Sequence, residues 1–227
     1  MLFLLRKVLK RLSFYTFNTI YFNFKYFPLK TAIKFPVYVA SNIHLMKTGG
    51  KVRIGSKIVP GMIQIGFSEV GIFDKKRSRG IWQVSGLIVF EGTAILGHGV
   101  KISCGKEGSI VFGNNFKVSA ESAIVAHKEI IFGADCLLSW DVLVMDTDFH
   151  KIRDLNHEIL NSPQKIVIGN KVWITCRSLI LKGSVIPNNT IIGAASLCNK
   201  DYAGLGENCI IAGNPAKKIK EFSSWNI

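Results

Sequence analysis

Large apolar residues recur at every sixth position through residues 90–198 of this chain, and few folds tolerate that period. The anchors are Phe90, Leu96 and Ile102; Phe112, Val118 and Ile124; Phe132, Leu138 and Val144; then, after a gap, Ile168, Ile174, Ile180, Ile186, Ile192 and Cys198. The next residue is often small, as at Gly97, Ser103, Gly113, Ser119, Gly133, Ser139, Gly169 and Gly193. Four places after the anchor, small or β-branched residues are common, among them Ser122, Val142, Ser178, Ser184, Thr190 and Ser196. A period of six is neither the 3.6 of a helix nor the 2 of an alternating strand. It fits a short strand followed by a corner, with three strands making a triangular coil of about 18 residues. The anchors then stack as ladders inside the coil, each turn advancing by the strand spacing of about 4.8 Å.

Such a solenoid buries the edge of one coil on the next and needs a cap at each end. The pattern predicts an all-β parallel β-helix over residues 51–216, with "RIGS" and "IQIG" as irregular first coils. It leaves a basic aromatic arm at 1–50 and a short cap at 217–227. The count lapses once at length. After Val144 the chain reads "MDTDFHKIRDLNHEILNSPQKIV", polar and turn-prone, and re-enters the pattern after Pro163. We read 145–167 as a loop thrown out from one corner, and long loops in compact domains usually carry function.

The charge is one-sided. Residues 1–68 hold eleven of the 29 Lys and Arg and no Asp or Glu, so the remainder carries little of the net +14. Aromatics crowd the same end. An anionic partner is expected, membrane surface or nucleic acid. No run is long and apolar enough to span a bilayer, and the opening "MLFLLRKVLKRL" puts its apolar run before its charges, unlike a secretory signal. Wound as a helix, that segment sets Leu2, Leu5, Val8, Leu9 and Leu12 against Arg6, Lys7, Lys10 and Arg11, as an interfacial helix does. No nucleic-acid motif accompanies the charge, so the arm is expected to contact anionic membrane peripherally or else to pack on the first coil as its cap. The five cysteines form no C-x-x-C pair and read as buried cytoplasmic thiols; no metal site is expected.

Three stretches carry a family resemblance: "DTDFH", "VWITCRSLILKGSVIPNNTIIGAASLCNKD" and "IIAGNPAKKIK". In this order they resemble the hexapeptide-repeat acetyltransferases, and "SWDVLVMDTDFH" resembles the branch associated with bacterial cell-surface polysaccharide synthesis. The resemblance covers about residues 85–220. It implies a left-handed β-helix, a homotrimer, acetyl-CoA as donor and sites in clefts between subunits. Thr175 stands where the family usually has Gly after "WI", and Ala195 replaces a second usual Gly.

On that footing the loop carries a base. An acceptor hydroxyl is a poor nucleophile at neutral pH and needs a proton acceptor with a pKa near about 7, which a histidine supplies. His150 of "DTDFH" is the expected base, with Asp148, Asp146 or a backbone carbonyl holding the other ring nitrogen. Corner N–H groups would steady the developing oxyanion. The resemblance further implies donor contacts from Trp173, Cys176, Ala194, Lys200, Lys217 and Lys220. Trp140 is a candidate platform for a sugar, and His157 a solvated loop residue. The expected activity is acetyl transfer to a sugar hydroxyl of a glycan precursor in the cytoplasm, near the inner membrane face. The alternatives are N-acetyl transfer to an amino sugar, a metal-dependent β-helix enzyme using His127, His150 and His157, or a scaffold without activity.

Overall fold

Three parallel sheets follow from the six-residue period. The structure, a computed structural model, describes residues 13–75 and 77–226. Face one stacks Val37–Val39, Ile63–Ile65, Ala94–His98, Phe116–Ala120, Leu137–Trp140, Trp173–Ile174, Ile191–Ile192 and Cys209–Gly213. Face two stacks Ile43–Thr48, Gly80–Val84, Lys101–Cys104, Ala123–Ala126, Leu143–Met145, Leu179–Leu181 and Leu197–Cys198. Face three stacks Lys51–Ile54, Leu87–Phe90, Ser109–Phe112, Glu129–Phe132, Ile166–Ile168 and Val185–Ile186. The chain visits one, two and three in turn, so each strand pairs in parallel with the strand one coil away.

The anchors are in register. Leu96 lies beside Val118, Val118 beside Leu138, Leu138 beside Ile174, and Ile174 beside Ile192. On face three, Phe90, Phe112 and Phe132 stack with centroids 5.0 and 5.7 Å apart. All are buried, and each such side chain is worth about 1.5–3 kcal/mol relative to exposure. The residue after an anchor is small because a corner follows it: a Cβ on Gly113 would lie 2.3 Å from the backbone carbon of Gly133 on the next coil. The serines four places on are buried, and their hydroxyls serve the corner carbonyls. Ser178 Oγ donates to Gly193 O at 3.0 Å, Ser184 Oγ to Leu181 O at 2.7 Å, and Ser196 Oγ to Gly193 O at 2.6 Å.

Two corners turn through the left-handed region with side chains present. Asn115, Asp135, Lys171 and Asn189 do so between faces three and one; Glu121, Asp141, Arg177 and Ala195 between faces one and two. Asn and Asp tolerate this geometry, but alanine gains nothing there. Ala195, at φ +55°, should therefore be improved by glycine. Ala195→Gly is expected to raise stability by about 0.5–1 kcal/mol, read as a higher urea midpoint at unchanged slope; a lowered midpoint would mean that the corner is unstrained.

The ends differ from the expected boundaries. The solenoid starts at Val37, whose strand pairs with Ile63–Ile65, because the preceding segment supplies partners for its open edge. Helix α1 (Phe17–Tyr26) lies across the first coil with Thr16 as its N-cap. Asn18 Nδ2 donates to Ala40 O and Ile43 O at 3.0 and 2.8 Å, and Asn23 Nδ2 to Val37 O at 2.6 Å. Thr19 Oγ1 accepts from Val39 N at 2.8 Å. Phe22 seals this cap against Trp82, with ring centroids 5.1 Å apart. The expected helix over residues 2–12 lies outside the described residues. At the other end Ala216–Glu221 turns back antiparallel on Cys209–Gly213 and closes face one.

Candidate active site

The long loop leaves the solenoid at the corner between faces two and three. Inside it the chain folds as a small hairpin, bridged at Arg153 and Ile159. Asp154 Oδ1 accepts from the N–H groups of Asn156 and Glu158, and His157 O accepts from Arg153 Nη1 at 2.6 Å. His157 thus sits at the hairpin tip, exposed and turned through φ +65°. His150 stands at the loop's root, also exposed. Its backbone is held on both sides: His150 N donates to Asp148 O at 2.6 Å, and His150 O accepts from Asn161 Nδ2 at 2.7 Å. The neighbouring Phe149 meets the His127 ring edge-on at 5.1 Å.

The two aspartates of "DTDFH" do different jobs. Strand alternation continues past Val144, so Asp146 points inward and is fully buried. Its Oδ1 accepts from His127 N at 2.7 Å and its Oδ2 from Lys128 N at 2.8 Å. Both carboxylate oxygens thereby hold the corner of the coil below, and among the described residues neither is hydrogen-bonded to the His150 ring. Asp148 is exposed; its Oδ2 accepts from Lys182 Nζ at 2.5 Å and Asn161 Nδ2 at 2.9 Å. These hydrogen bonds, Lys182's first, hold its carboxyl below the usual carboxylate range. A carboxyl lowered on folding adds stability above its unfolded pKa and loses it as pH falls through the folded one. The tether is therefore intact wherever an imidazole titrates. Lys182 also donates to Asn161 O at 3.1 Å, clamping both ends of the loop. Neither Lys182 nor Asn161 was expected. Lys182 was findable by counting, since it falls two places after the anchor Ile180 on the corner one coil beyond the loop.

The remaining candidates gather elsewhere. Trp140, Cys176 and Ala194 line the corner between faces one and two. Trp140 is half-buried beside Ala120. Cys176 is half-exposed, whereas burial raises the thiols of Cys136 and Cys198 to about 12 and that of Cys104 to about 11. Thr175 fits where a glycine was expected because its hydroxyl lies along the stack and donates to Ile192 O of the next coil at 2.6 Å. Trp173 donates from Nε1 to Ser139 Oγ at 3.1 Å and packs against Trp225, whose own Nε1 donates to Lys171 O. The strand Leu179–Leu181 separates the corner that carries Cys176 from the one that carries Lys182 and the loop. His150 thus belongs to a different corner of the coil from Cys176 and Ala194.

Lys200 lies on the His150 corner, two coils further on. With Lys217 and Lys218 it lines a cavity of about 210 Å³ that also takes in Asp201, Tyr202, Gly204, Leu205 and Ala216. Lys220 lies outside it, beyond a shift of register between Ile210 and Ile211 on the capping strand. Among the described residues no three His, Cys, Asp or Glu side chains converge as a metal site.

No protein-family model matches the chain. It is 28% identical over 150 residues to a protein of Escherichia coli K12 named as a lipopolysaccharide biosynthesis O-acetyl transferase, WbbJ, covering 61% of this chain and 74% of that one. It is 32% identical over 118 residues to the galactoside O-acetyltransferase of the same strain, covering 51% and 55%. The matches thus span about half to three quarters of these relatives. Among solved structures, the polysialic-acid-specific acetyltransferase NeuO superposes with a TM-score of 0.63 at 22% identity, over 84% of this chain and 79% of that one. The shared fold is the left-handed β-helix of hexapeptide repeats.

Proposed function

We infer from a chain that belongs to the hexapeptide-repeat acetyltransferases that it moves an acetyl group from acetyl-CoA to a hydroxyl of a sugar in bacterial surface-polysaccharide synthesis. The observation that carries this reading is His150, exposed at the root of a loop clamped by Lys182, Asn161 and Asp148. A base for hydroxyl activation must be solvent-reachable and held in place, and this one is both.

In this reading the His150 imidazole takes the hydroxyl proton as the oxygen bonds to the thioester carbonyl carbon. The carbon–sulfur bond breaks, and the imidazolium returns the proton to the departing sulfur. The donor supplies the activated acyl group; the chain supplies its seat. Lys200, Lys217 and Lys218 around the terminal cavity offer a basic end for its phosphates, and the Thr175 hydroxyl, bonded to Ile192 O, is kept from reaching over the corner beside Cys176 and Ala194. Trp140 on that corner is placed to stack on the acceptor. Acetyl-CoA is a cytoplasmic metabolite, so the work is assigned to the cytoplasm.

A second copy must complete the site. The separation of His150 from Cys176 and Ala194 onto different corners supports clefts in which one subunit brings the first and its neighbour the others, as in a homotrimer. The loop supports this too: Ile152, Leu155, Ile159 and Leu160 are exposed on its hairpin, an apolar tip suited to a neighbouring face. Leu155→Asp is expected to shift the chain from trimer toward monomer by light scattering and to abolish transfer with it. A monomeric wild type with full activity would refute the shared cleft. The activity itself is tested by incubating the chain with acetyl-CoA and a panel of free, nucleotide-linked and lipid-linked sugars. Free thiol released in step with an ester on the sugar supports the reading. An amide on an amino sugar, or no acceptor-dependent thiol release, overturns it.

A further inference from the structure

We propose that α1 and the helical turn that follows it, α2 (Leu29–Ala32), form a docking surface for an anionic membrane. Helix α1 is aromatic on both sides. Its inner side, with Thr19, Phe22 and Asn23 buried, is the cap described above. Its outer side turns Phe17, Ile20, Tyr21 and Phe24 to solvent, an i, i+3, i+4, i+7 stripe. Phe17 is 80% exposed and Phe24 49%, and the surface continues through Leu29 at 68% and Ile33 at 58%. Phe17 stacks on Tyr21 at 6.5 Å and Phe24 meets Phe35 at 6.2 Å, two ring pairs that with Ile20, Leu29 and Ile33 make an apolar belt.

Capping does not require this stripe. A cap needs an apolar inner face and a polar outer one, and an exposed apolar patch of this extent marks a contact. The charge identifies the partner. Lys25, Lys30 and Lys34 are exposed around the belt, and no Asp or Glu occurs before Glu69. A second copy docked symmetrically would set this cationic face against itself, and like charges repel. A bilayer with anionic headgroups offers both complements at one depth. Aromatic rings settle among the headgroups and lysines meet the phosphates. No helix among the described residues is long and apolar enough to cross a membrane, so this contact lies on the surface. The inference stands apart from the acetyl-transfer reading and uses none of its residues.

The test is co-sedimentation of the full chain with vesicles of phosphatidylcholine alone, or with about a third phosphatidylglycerol, at low and high salt. Binding to the anionic vesicles at least ten-fold tighter than to the neutral ones, and loosened by salt, is expected. The variant Phe17→Ser/Phe24→Ser/Leu29→Ser should bind at least ten-fold more weakly, with an unchanged melting temperature and unchanged turnover of a soluble acceptor. Three results would overturn the proposal. The wild type could remain in the supernatant with anionic vesicles. The variant could bind as well as the wild type, which would put attachment elsewhere. Or the wild type, without lipid, could form an assembly that the variant dissolves, which would give the stripe to a second copy.

Discussion

His150→Ala is expected to leave a folded, assembled protein whose acetyl transfer is slower by roughly a hundred- to ten-thousand-fold, the usual worth of general-base catalysis. The side chain is exposed, and the loop's tethers to it run through backbone atoms that alanine retains. The ladders that stabilise the coils lie elsewhere, so the melting temperature should move little. His157→Ala is the matched control: same loop, same residue type, seated at the hairpin tip, and expected to keep nearly full activity. Transfer at the wild-type rate by folded His150→Ala would remove this residue from the mechanism, while equal losses in both variants would indicate a general disturbance of the loop.

The second large effect falls on stability. Asp146→Ala should cost about 3 kcal/mol, because it strips two charge-assisted hydrogen bonds, each worth about 1.5–3 kcal/mol, and the two are not additive. The N–H groups of His127 and Lys128 would lose the acceptors now 2.7 and 2.8 Å away. In a chain of this size that corresponds to a fall of about 6–12 °C in melting temperature. Asp146→Asn keeps one acceptor oxygen and should lose about half as much. If Asp146 instead positioned the base, the asparagine variant would melt normally and lose its rate. The pair of measurements therefore separates a structural carboxylate from an orienting one.

The solenoid was legible because its information is local and repeated. Leu96, Val118, Leu138, Ile174 and Ile192 needed only a count of six to fall into one ladder, and the structure puts them in register. The loop was legible as the place where counting stopped. The start at Val37 was not. Val37 and Ile43 are six apart, but the count stops at once, with Gly49 at the next sixth position; their strands form because Asn18, Thr19 and Asn23 of α1 satisfy the open edge, a contact between segments some twenty residues apart. Asp146 could have been read correctly: two places after a buried anchor in a strand, a side chain points in. Its place in "DTDFH" suggested a partner for His150, whereas the hydrogen bonds it makes go to the N–H groups of His127 and Lys128. Lys220 was misplaced because a bulge shifts the capping strand by one residue between it and Lys218, which no residue type announces.

The coil stack also works as a ruler. From the first strand of face two, Ile43–Thr48, to Leu143–Met145, where the loop departs, the sheet climbs through Gly80–Val84, Lys101–Cys104 and Ala123–Ala126. Those are four strand spacings, or about 19 Å at ~4.8 Å each. With α1 resting on a bilayer beneath that first strand and the coil axis upright, His150 would be held at no less than that height above the headgroups, since the helix adds up to about 10 Å. A sugar joined directly to a lipid phosphate would lie too low to reach it; a residue several sugars out along a lipid-linked glycan would arrive level with it. The number of coils below the loop then selects which residue of a growing chain can be modified, and removing one whole coil would lower that selection by about one sugar ring.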